Sequence, residues 1–325
     1  MELTLRATLT TAVTLVTMLS AFVAGGPAWS AYPEKTVRVV VPSTPGGGND
    51  VMARLAAQKL GDVWGRQVVV DNRPGAGGAI AFEMVARSAP DGYTLLLGST
   101  NLTVLPDMQK VNYHPIKDFA PITLMAKSMN ILLVHPSVPA KSAKELIALA
   151  KQRPGKLNYG TTIATSVHLA AELFKANAGV NIVMVPYKGM GPALLDLIAG
   201  QVDVAFANPA ASQDYVRLGR MRALAVTGEK RSALLPDVPT VAETVIPRFE
   251  ASTWWGILAP ASTPPAIVME VNARLAVALT QRDMLDRVAT LGADLVGGAP
   301  ERLTAHLNAE IPKWRDVVRV ANIKL

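Results

Sequence analysis

Cysteine is absent from the 325 residues, which excludes disulfide bonds and thiolate metal sites. The four histidines are scattered, and no H-E-x-x-H, G-x-S-x-G or complete P-loop motif occurs, so no cofactor, metal ion or catalytic residue is expected. The formal net charge is +7, yet no run of five basic residues exists. The dispersed basic residues therefore do not indicate a nucleic-acid-binding surface, and the net positive charge fits a mild preference for anions.

Long uncharged apolar runs are confined to the N-terminus. Residues 7–24 carry no charge, Gly25-Gly26-Pro27 would break a helix, and Ala28 and Ser30 are small. This pattern predicts a signal peptide over residues 1–30, cleaved between Ser30 and Ala31. The alternative is an uncleaved membrane anchor, for which the run is short.

Strand-like and helix-like segments alternate along the remaining chain. The predicted strands cover 36–41, 67–70, 93–97, 131–134, 157–160, 182–185, 202–206 and 222–227. Helices follow between and after them, one of them ending at Gly61 and another spanning 143–152 behind a capping box of Ser142 and Glu145. The alternation predicts an α/β fold with mostly parallel sheets, in which ligands bind beyond the carboxyl ends of the strands.

A glycine-rich loop follows the first predicted strand. Pro45-Gly46-Gly47-Gly48 precede Asn49 and Asp50, which open a helix. The backbone N–H groups of Gly48, Asn49 and Asp50 could bind a carboxylate without a cationic side chain, because they lie at the positive end of the helix dipole. The alternative is that the glycines only make a tight turn.

A hydroxyl-rich loop offers a second set of donors. Thr161, Thr162, Thr165 and Ser166 lie between a strand and a helix and supply hydroxyl as well as N–H groups. Simple N-capping by Thr165 or Ser166 is the alternative. His168, in the same helix, is more typical of a buried, satisfied histidine than of a ligand.

Other polar residues lie near strand ends. Ser99 and Asn101 follow the third strand, and Tyr187 lies in the Tyr187-Lys188-Gly189 turn. Asp203 has apolar neighbours, and a buried carboxylate needs partners. It is therefore either hydrogen-bonded within the protein for a structural role or in contact with a ligand. Trp254-Trp255 favour core or hinge packing over a stacking platform.

The ordered set of motifs resembles the Bug/TctC family, the extracytoplasmic receptors of tripartite tricarboxylate transporters. The motifs that carry the resemblance are 31–35 (AYPEK), 45–50 (PGGGND), 72–78 (NRPGAGG), 90–95 (PDGYTL), 186–189 (PYKG), 191–193 (GPA), 200–203 (GQVD), 222–227 (RALAVT) and 235–240 (LPDVPT).

The resemblance implies a periplasmic-binding-protein type II-like fold with a ligand cleft between two α/β domains. Domain 1 would comprise residues 31–127 and 255–325, and domain 2 residues 128–254, with crossovers near 122–129 and 250–260. The expected protein is a periplasmic monomer that captures a small organic carboxylate for membrane permease subunits. An alternative is a sensor that presents the carboxylate to a two-component kinase, and a third is an exported hydrolase using Ser166 and His168.

The resemblance also assigns positions to the ligand site. The loop from Thr44, through Gly46, to Asp50 would face the loop from Thr161 to Ser166 across the cleft. Asp203 and residues 206–208, ending at Asn208, would select the distal part of the ligand. The chain departs from the family at Ser43 and Thr44, which replace an aromatic residue and a proline, and at Ile163 and Thr165, which replace glycines. Because a β-branched residue disfavours positive φ and adds bulk, we expect the carboxylate to sit differently in this chain and the specificity to be unusual.

Overall fold

Residues 32–187 and 189–323 are described by the computed structural model, and they form eleven strands and eleven helices. The strands are β1 (Val37–Val41), β2 (Val68–Asn72), β3 (Thr94–Ser99), β4 (Phe119–Met129), β5 (Ile131–Val134), β6 (Asn158–Thr161), β7 (Val183–Pro186), β8 (Val204–Ala207), β9 (Arg222–Val226), β10 (Ser252–Pro260) and β11 (Asp294–Leu295). The helices are α1 (Gly48–Trp64), α2 (Ala79–Ala86), α3 (Thr100–Met108), α4 (Ala143–Gln152), α5 (Ser166–Ala178), α6 (Met190–Ile198), α7 (Pro209–Arg217), α8 (Val241–Thr244), α9 (Pro265–Ala278), α10 (Arg282–Thr290) and α11 (Pro300–Ala321). The predicted signal peptide and its cleavage site lie outside the described residues.

Sheet A contains six strands in the order β11-β4-β10-β3-β1-β2. β1 pairs in parallel with β2 and with β3, while β10 is antiparallel to both β3 and β4. The buried faces of β1 and β3 are almost entirely valine and leucine, as expected for strands covered on both sides. The carboxyl ends of β1, β2 and β3 therefore meet at one edge of the sheet.

Sheet B contains five strands in the order β7-β6-β8-β5-β9. β6 pairs in parallel with β7 and β8, and β5 runs antiparallel to β8 and β9. Both sheets belong to one compact unit that begins at Lys35. The predicted α/β fold is confirmed, but the sheets are mixed and not mostly parallel.

One predicted boundary was wrong, and one predicted capping box is incomplete. α1 continues past Gly61 to Trp64 and ends at Gly65, whose φ of 59° supplies the left-handed C-cap that glycine favours. At α4, the Ser142 hydroxyl accepts from the N–H of Glu145 as predicted. The Glu145 carboxylate, however, accepts from the N–H of Lys141 at 2.7 Å, so the reciprocal bond of a capping box is displaced by one residue.

The chain crosses between the sheets at Asn130 and again between β9 and β10. The segments predicted as crossovers are instead the long antiparallel strands β4 and β10. The true crossovers are hydrogen-bonded to one another: the N–H of Thr227 donates to the Asn130 carbonyl at 2.8 Å, and the Thr227 hydroxyl donates to the Ala251 carbonyl at 2.7 Å. We call Asn130, Thr227 and Ala251 the crossover clasp; all three are buried.

β4 and β10 extend beyond the end of β3 towards sheet B. Trp255 is the first residue of β10 that pairs with β3, opposite Ser99, whereas 252–254 pair only with β4 residues 127–129. We call this two-stranded extension, 127–129 with 252–254, the arm. Because the arm leads directly into Asn130 and Ala251, it connects sheet A to the crossover clasp.

Partly buried charged groups lie beside the arm. The Glu250 carboxylate lies 2.8 Å from Lys313 Nζ on α11 and 3.5 Å from Lys127 Nζ on β4. Burial alone would raise the pKa of Glu250, but the two lysine charges outweigh it and lower the pKa to about 2. α11 also packs against α3, β4 and α5, so the C-terminal helix contacts elements of both sheets.

Among the described residues, no helix is both long enough and apolar enough to cross a membrane. Of the predicted domain limits, 127/128 falls within the arm and 254/255 at its end. The domain division itself stays a prediction.

Candidate functional site

The loops at the carboxyl ends of the parallel strands contain all but one of the predicted site residues. Thr44, Gly46, Gly48, Asn49 and Asp50 follow β1, and Ser99 and Asn101 lie at the end of β3. Thr161, Thr162, Thr165 and Ser166 lie at the end of β6, Tyr187 follows β7, and Asn208 follows β8. Parallel neighbours end at the same edge, so each sheet brings its own set together.

A buried carboxylate braces the loop after β1. The Asp50 side chain accepts from the N–H of Gly46 at 3.0 Å, from Arg54 Nε at 2.8 Å and from Asn72 Nδ2 at 3.0 Å. Gly46 has a φ of 87°, so this turn needs glycine. The hydrogen bond from Arg54 is the largest cause that lowers the pKa of Asp50 to about 2, and burial opposes it. The Asp50 side chain therefore holds the loop and is not free for a ligand.

The first turn of α1 has donors without a side-chain cap. Its N-cap is Gly47, which has no side chain to offer, and the first N–H groups of a helix have no partner within the helix. Asn49 Oδ1 accepts from Trp255 Nε1 at 2.8 Å. A Cβ built on Gly48 would lie 3.4 Å from Trp255 Cζ2, so the ring sits directly against the helix start.

The loop after β6 contains one strained residue. Ala164 has a φ of 58°, and its N–H donates to His168 Nδ1 at 3.1 Å. The left-handed residue of this loop lies between Ile163 and Thr165, and Thr165 itself has a φ of −103°. Burial lowers the pKa of His168, which keeps the imidazole neutral as an acceptor for the loop.

The first turn of α5 also lacks a side-chain cap. Thr165 is the N-cap, but its hydroxyl donates to the Thr162 carbonyl at 2.6 Å, so the alternative of simple capping by the Thr165 side chain is wrong. The Ser166 hydroxyl lies 2.6 Å from the Thr253 hydroxyl on β10. A hydroxyl both donates and accepts, so Ser166 keeps further hydrogen-bonding capacity.

The two helix starts meet the same face of β10. Thr253 contacts α5 and Trp255 contacts α1, and residues two apart on a strand point to one side. These two anchor residues are about 7 Å apart along the strand. The positive ends of two helix dipoles, one from each sheet, thus converge on a short stretch of β10, an arrangement that favours an anion.

Several buried hydroxyls at these strand ends have no hydrogen-bond partner among the described residues. They belong to Ser43 after β1, Thr100 after β3, and Thr161 and Thr162 at the end of β6. A buried hydroxyl normally finds a partner, because leaving it unsatisfied costs about 1–3 kcal/mol. These four hydroxyls lie at the sheet edges where a ligand is expected, so they could hydrogen-bond a polar ligand.

The remaining predicted residues are held by the protein itself. The Tyr187 hydroxyl donates to Asp196 at 2.6 Å, and burial, followed by this bond, raises the pKa of Tyr187 to about 12. Asn101 Nδ2 donates to the Gly77 carbonyl at 2.9 Å. Asn208 Oδ1 caps α7 by accepting from the N–H of Ala210 at 3.0 Å. Thr44 is exposed and Ser99 is buried.

Asp203 lies at the wrong edge for a ligand contact. It precedes β8, at the amino ends of the strands of sheet B. Its carboxylate accepts from the N–H of Asn158 at 2.8 Å, and its own N–H donates to Asn158 Oδ1 at 3.0 Å. The predicted ligand role was wrong and the structural alternative describes this residue. Phe206 is buried, and its ring centroid lies 5.8 Å from that of Phe174.

The hydrolase alternative finds no support in the described residues. Ser166 is hydrogen-bonded to Thr253, and His168 Nδ1 is occupied by the N–H of Ala164. Within residues 32–187 and 189–323 no hydrogen bond joins Ser166 to His168, and Asp203 lies at the opposite edge of sheet B. No group of three or more acidic or histidine side chains in that part of the chain could hold a metal ion.

A cavity of about 400 Å³ lies away from these loops, between the arm, β11 and α11. Its lining includes Lys127, Glu229 and Glu250, which are already paired: Lys127 Nζ lies 3.3 Å from Glu229 and 3.5 Å from Glu250. The cavity contains none of the unpartnered hydroxyls at the strand ends. The helix starts on β10 therefore form the better candidate site.

Sequence reasoning missed the residues of β4 and β10 that reach this site. Thr253 and Trp255 lie within the segment predicted as a crossover, where Trp255 was expected only to pack. Ser128, which accepts from Asn208 Nδ2 at 2.5 Å, was not predicted either. The alternation of residues along β10 could have placed 253 and 255 on one face, but no local signal identifies their partners.

The chain is similar to proteins of one family. A family model described as "Tripartite tricarboxylate transporter family receptor" matches residues 52–323. Protein BugT of Bordetella pertussis is 38% identical over 298 residues, which cover 90% of this chain and 91% of BugT.

Solved structures show the same similarity. An R. palustris protein solved with adipate is 38% identical, with a TM-score of 0.76, and the match covers 90% of this chain and 99% of that one. MatC from Rhodopseudomonas palustris, with bound malate, is 33% identical, with a TM-score of 0.72 and coverage of 88% and 100%.

Proposed function

The chain belongs to the tripartite tricarboxylate transporter receptor family, and from that premise we propose that it captures a small organic carboxylate between its two sheets and delivers it to a membrane permease. The family consists of solute-binding receptors with the type II-like periplasmic-binding-protein fold. Relatives solved with adipate and with malate support a ligand that carries carboxylate groups.

The observation that carries the proposal is the convergence of α1 and α5 on β10. The ligand carboxylate would accept from N–H groups at the starts of both helices and from the unpartnered hydroxyls of Thr100, Thr161 and Thr162. Because neither helix has a side-chain cap, an anion supplies the missing acceptor. Contact with both helices would also connect sheet A to sheet B through the ligand.

The location and partner form part of the same proposal. The N-terminal sequence supports export and removal of residues 1–30, and receptors of this family are periplasmic. The two sheets would be the cores of the two predicted domains, and the liganded form would be the one that the permease subunits recognise. A monomer suffices for this role.

Replacement of one helix-start donor tests the proposal. Gly48 is the first residue of α1, where proline is tolerated, and Gly47 has φ −81° and ψ 171°, a conformation that a following proline accepts. Gly48→Pro removes the N–H while the helix stays intact. Loss of a hydrogen bond to a charged group predicts a roughly 10- to 100-fold weaker affinity for the best-binding carboxylate, measured by isothermal titration calorimetry.

Gly48→Ala is the matched control, because it adds a Cβ at an ordinary 3.4 Å from Trp255 and keeps the N–H. Its affinity is expected to stay within about three-fold of the wild type. The calorimetric panel for residues 31–325 should contain malate, adipate, citrate and a monocarboxylate. Absence of heat with the whole panel would refute carboxylate capture, and equal affinities for Gly48→Pro and Gly48→Ala would refute the assigned donor.

A further inference from the structure

Two hydroxyl side chains of the arm hold the helices of sheet B. Ser128 and Thr253 are directly opposite in the β4–β10 pair, so their side chains share a face. The Thr253 hydroxyl lies 2.6 Å from the hydroxyl of Ser166, the first residue of α5. Asn208 Nδ2, at the N-cap of α7, donates to the Ser128 hydroxyl at 2.5 Å. Both helices that follow the central strands β6 and β8 are therefore joined to the same point of sheet A.

The contact with α7 is fixed from both sides. Asn208 uses its Oδ1 to cap α7 and its Nδ2 to reach Ser128, so the orientation of the amide is determined. The Ser128 hydroxyl in turn donates to the Gly292 carbonyl at 2.7 Å. A Cβ on Gly292 would lie 2.9 Å from the Pro209 Cβ, so this close approach of α7 depends on glycine.

We infer that the pairs Ser128–Asn208 and Thr253–Ser166 form a latch that stabilises the ligand-holding arrangement of the two sheets. This inference rests on the proposed function. The arm joins the crossover clasp at Asn130 and Ala251, so a rotation of sheet B about the clasp moves the starts of α5 and α7 relative to Ser128 and Thr253. Hydrogen bonds of 2.5–2.6 Å are lost after a displacement of about 1 Å, so they favour only the arrangement that contains them.

The latch residues are positioning residues. Thr253 holds Ser166 and thereby the N–H groups of α5, while Ser128 acts through Asn208 and α7. A neutral hydrogen bond changes an equilibrium by about two- to ten-fold, so each bond is expected to change the ratio of latched to open molecules by that factor. Because ligand binds the latched arrangement, its apparent affinity falls in proportion to the latched fraction of the unliganded protein.

The test uses hydroxyl removal with a matched control. Thr253→Val and Ser128→Ala remove the latch, and Thr253→Ser restores a hydroxyl. Thr123→Val is the control, because Thr123 is buried in β4, opposite Ile257 of β10, and its hydroxyl has no partner among the described residues. The chain lacks cysteine, so spin labels can be placed on Lys144→Cys of α4 and Val277→Cys of α9, both exposed.

Double electron–electron resonance would measure the distance between the labels with and without adipate. We expect Thr253→Val and Ser128→Ala to shift the unliganded distribution away from the wild type and to weaken adipate binding about five-fold. Thr253→Ser and Thr123→Val should match the wild type in both measurements. Urea unfolding of the unliganded variants identifies a purely structural effect, which would lower the midpoint and leave the distances unchanged.

The two proposals fail in different ways. If the wild type gives no calorimetric heat with any carboxylate, the proposed function fails, while the unliganded distance distributions still test the latch. If Thr253→Val and Ser128→Ala give wild-type distributions with and without adipate, the latch is overturned and the carboxylate site is unaffected.

Discussion

Replacement of Asp50 by asparagine should destabilise the protein in a pH-dependent way. The pKa of Asp50 falls from 3.8 to about 2 on folding, and at 1.36 kcal/mol per unit this corresponds to roughly 2 kcal/mol of stability. Because the pKa is depressed in the folded state, this stability is fully present above pH 3.8 and is lost as the pH falls through 2. About half of it should remain at pH 3.

The structural cause is the number of donors around the carboxylate. Gly46, Arg54 and Asn72 all donate to Asp50, whereas an asparagine offers a single neutral oxygen. Asn72 Nδ2 also donates to the Ser43 carbonyl at 3.0 Å, so the whole loop before α1 should loosen. We therefore expect carboxylate affinity to fall together with stability.

Urea unfolding followed by tryptophan fluorescence at pH 7 and pH 3 measures the effect. The wild-type free energy of unfolding should exceed that of Asp50→Asn at pH 7, and the difference should narrow by about 1 kcal/mol at pH 3. Asp214→Asn is the control, because its side chain is 79% exposed and pairs only loosely with Arg217, at 3.6 Å. An unchanged difference at the two pH values would refute the role of the Asp50 charge.

Two further substitutions test the ion pairs of Glu250 and the loop after β6. Glu250→Gln should lower the free energy of unfolding by roughly 3 kcal/mol at neutral pH, because the pKa of Glu250 falls from 4.5 to about 2 on folding. Urea unfolding between pH 7 and pH 3 should show this loss of stability shrinking below pH 4.5. A variant as stable as the wild type at neutral pH would contradict the prediction. Ala164→Gly should raise the free energy of unfolding by up to about 1 kcal/mol in thermal unfolding, because Ala164 has a φ of 58° that glycine adopts more readily. The control Ala171→Gly, inside α5, should lower the free energy of unfolding. Destabilisation by Ala164→Gly would show that the loop is not strained.

Local patterns predicted the elements that lie next to the site. The bounds of β5 and α4 match the sequence prediction, and the strands that precede the ligand loops were placed within one or two residues. These elements have clear local signals: β-branched runs, a serine N-cap, and glycine or proline beyond their ends. The two helix starts followed from the same signals, because glycine and hydroxyl residues came directly after predicted strands.

Long-range pairing decided what the sequence did not predict. β4 and β10 are antiparallel neighbours more than a hundred residues apart, and nothing in 122–129 or 250–260 reveals a partner at that distance. Asp203 was misplaced because a carboxylate beside a buried strand has the same local pattern at either end of the sheet. Its actual partner, Asn158, lies 45 residues away and begins another strand.

The central place of β10 in sheet A has a consequence for the order in which the chain can fold. β4 and β3 do not touch each other as neighbours; each pairs with β10, which comes after all of sheet B in the chain. A growing polypeptide that stops before Ser252 thus holds two halves of an incomplete sheet with nothing to join them. Sheet A therefore closes only after 252–260 have been made, when more than three-quarters of the chain has been synthesised.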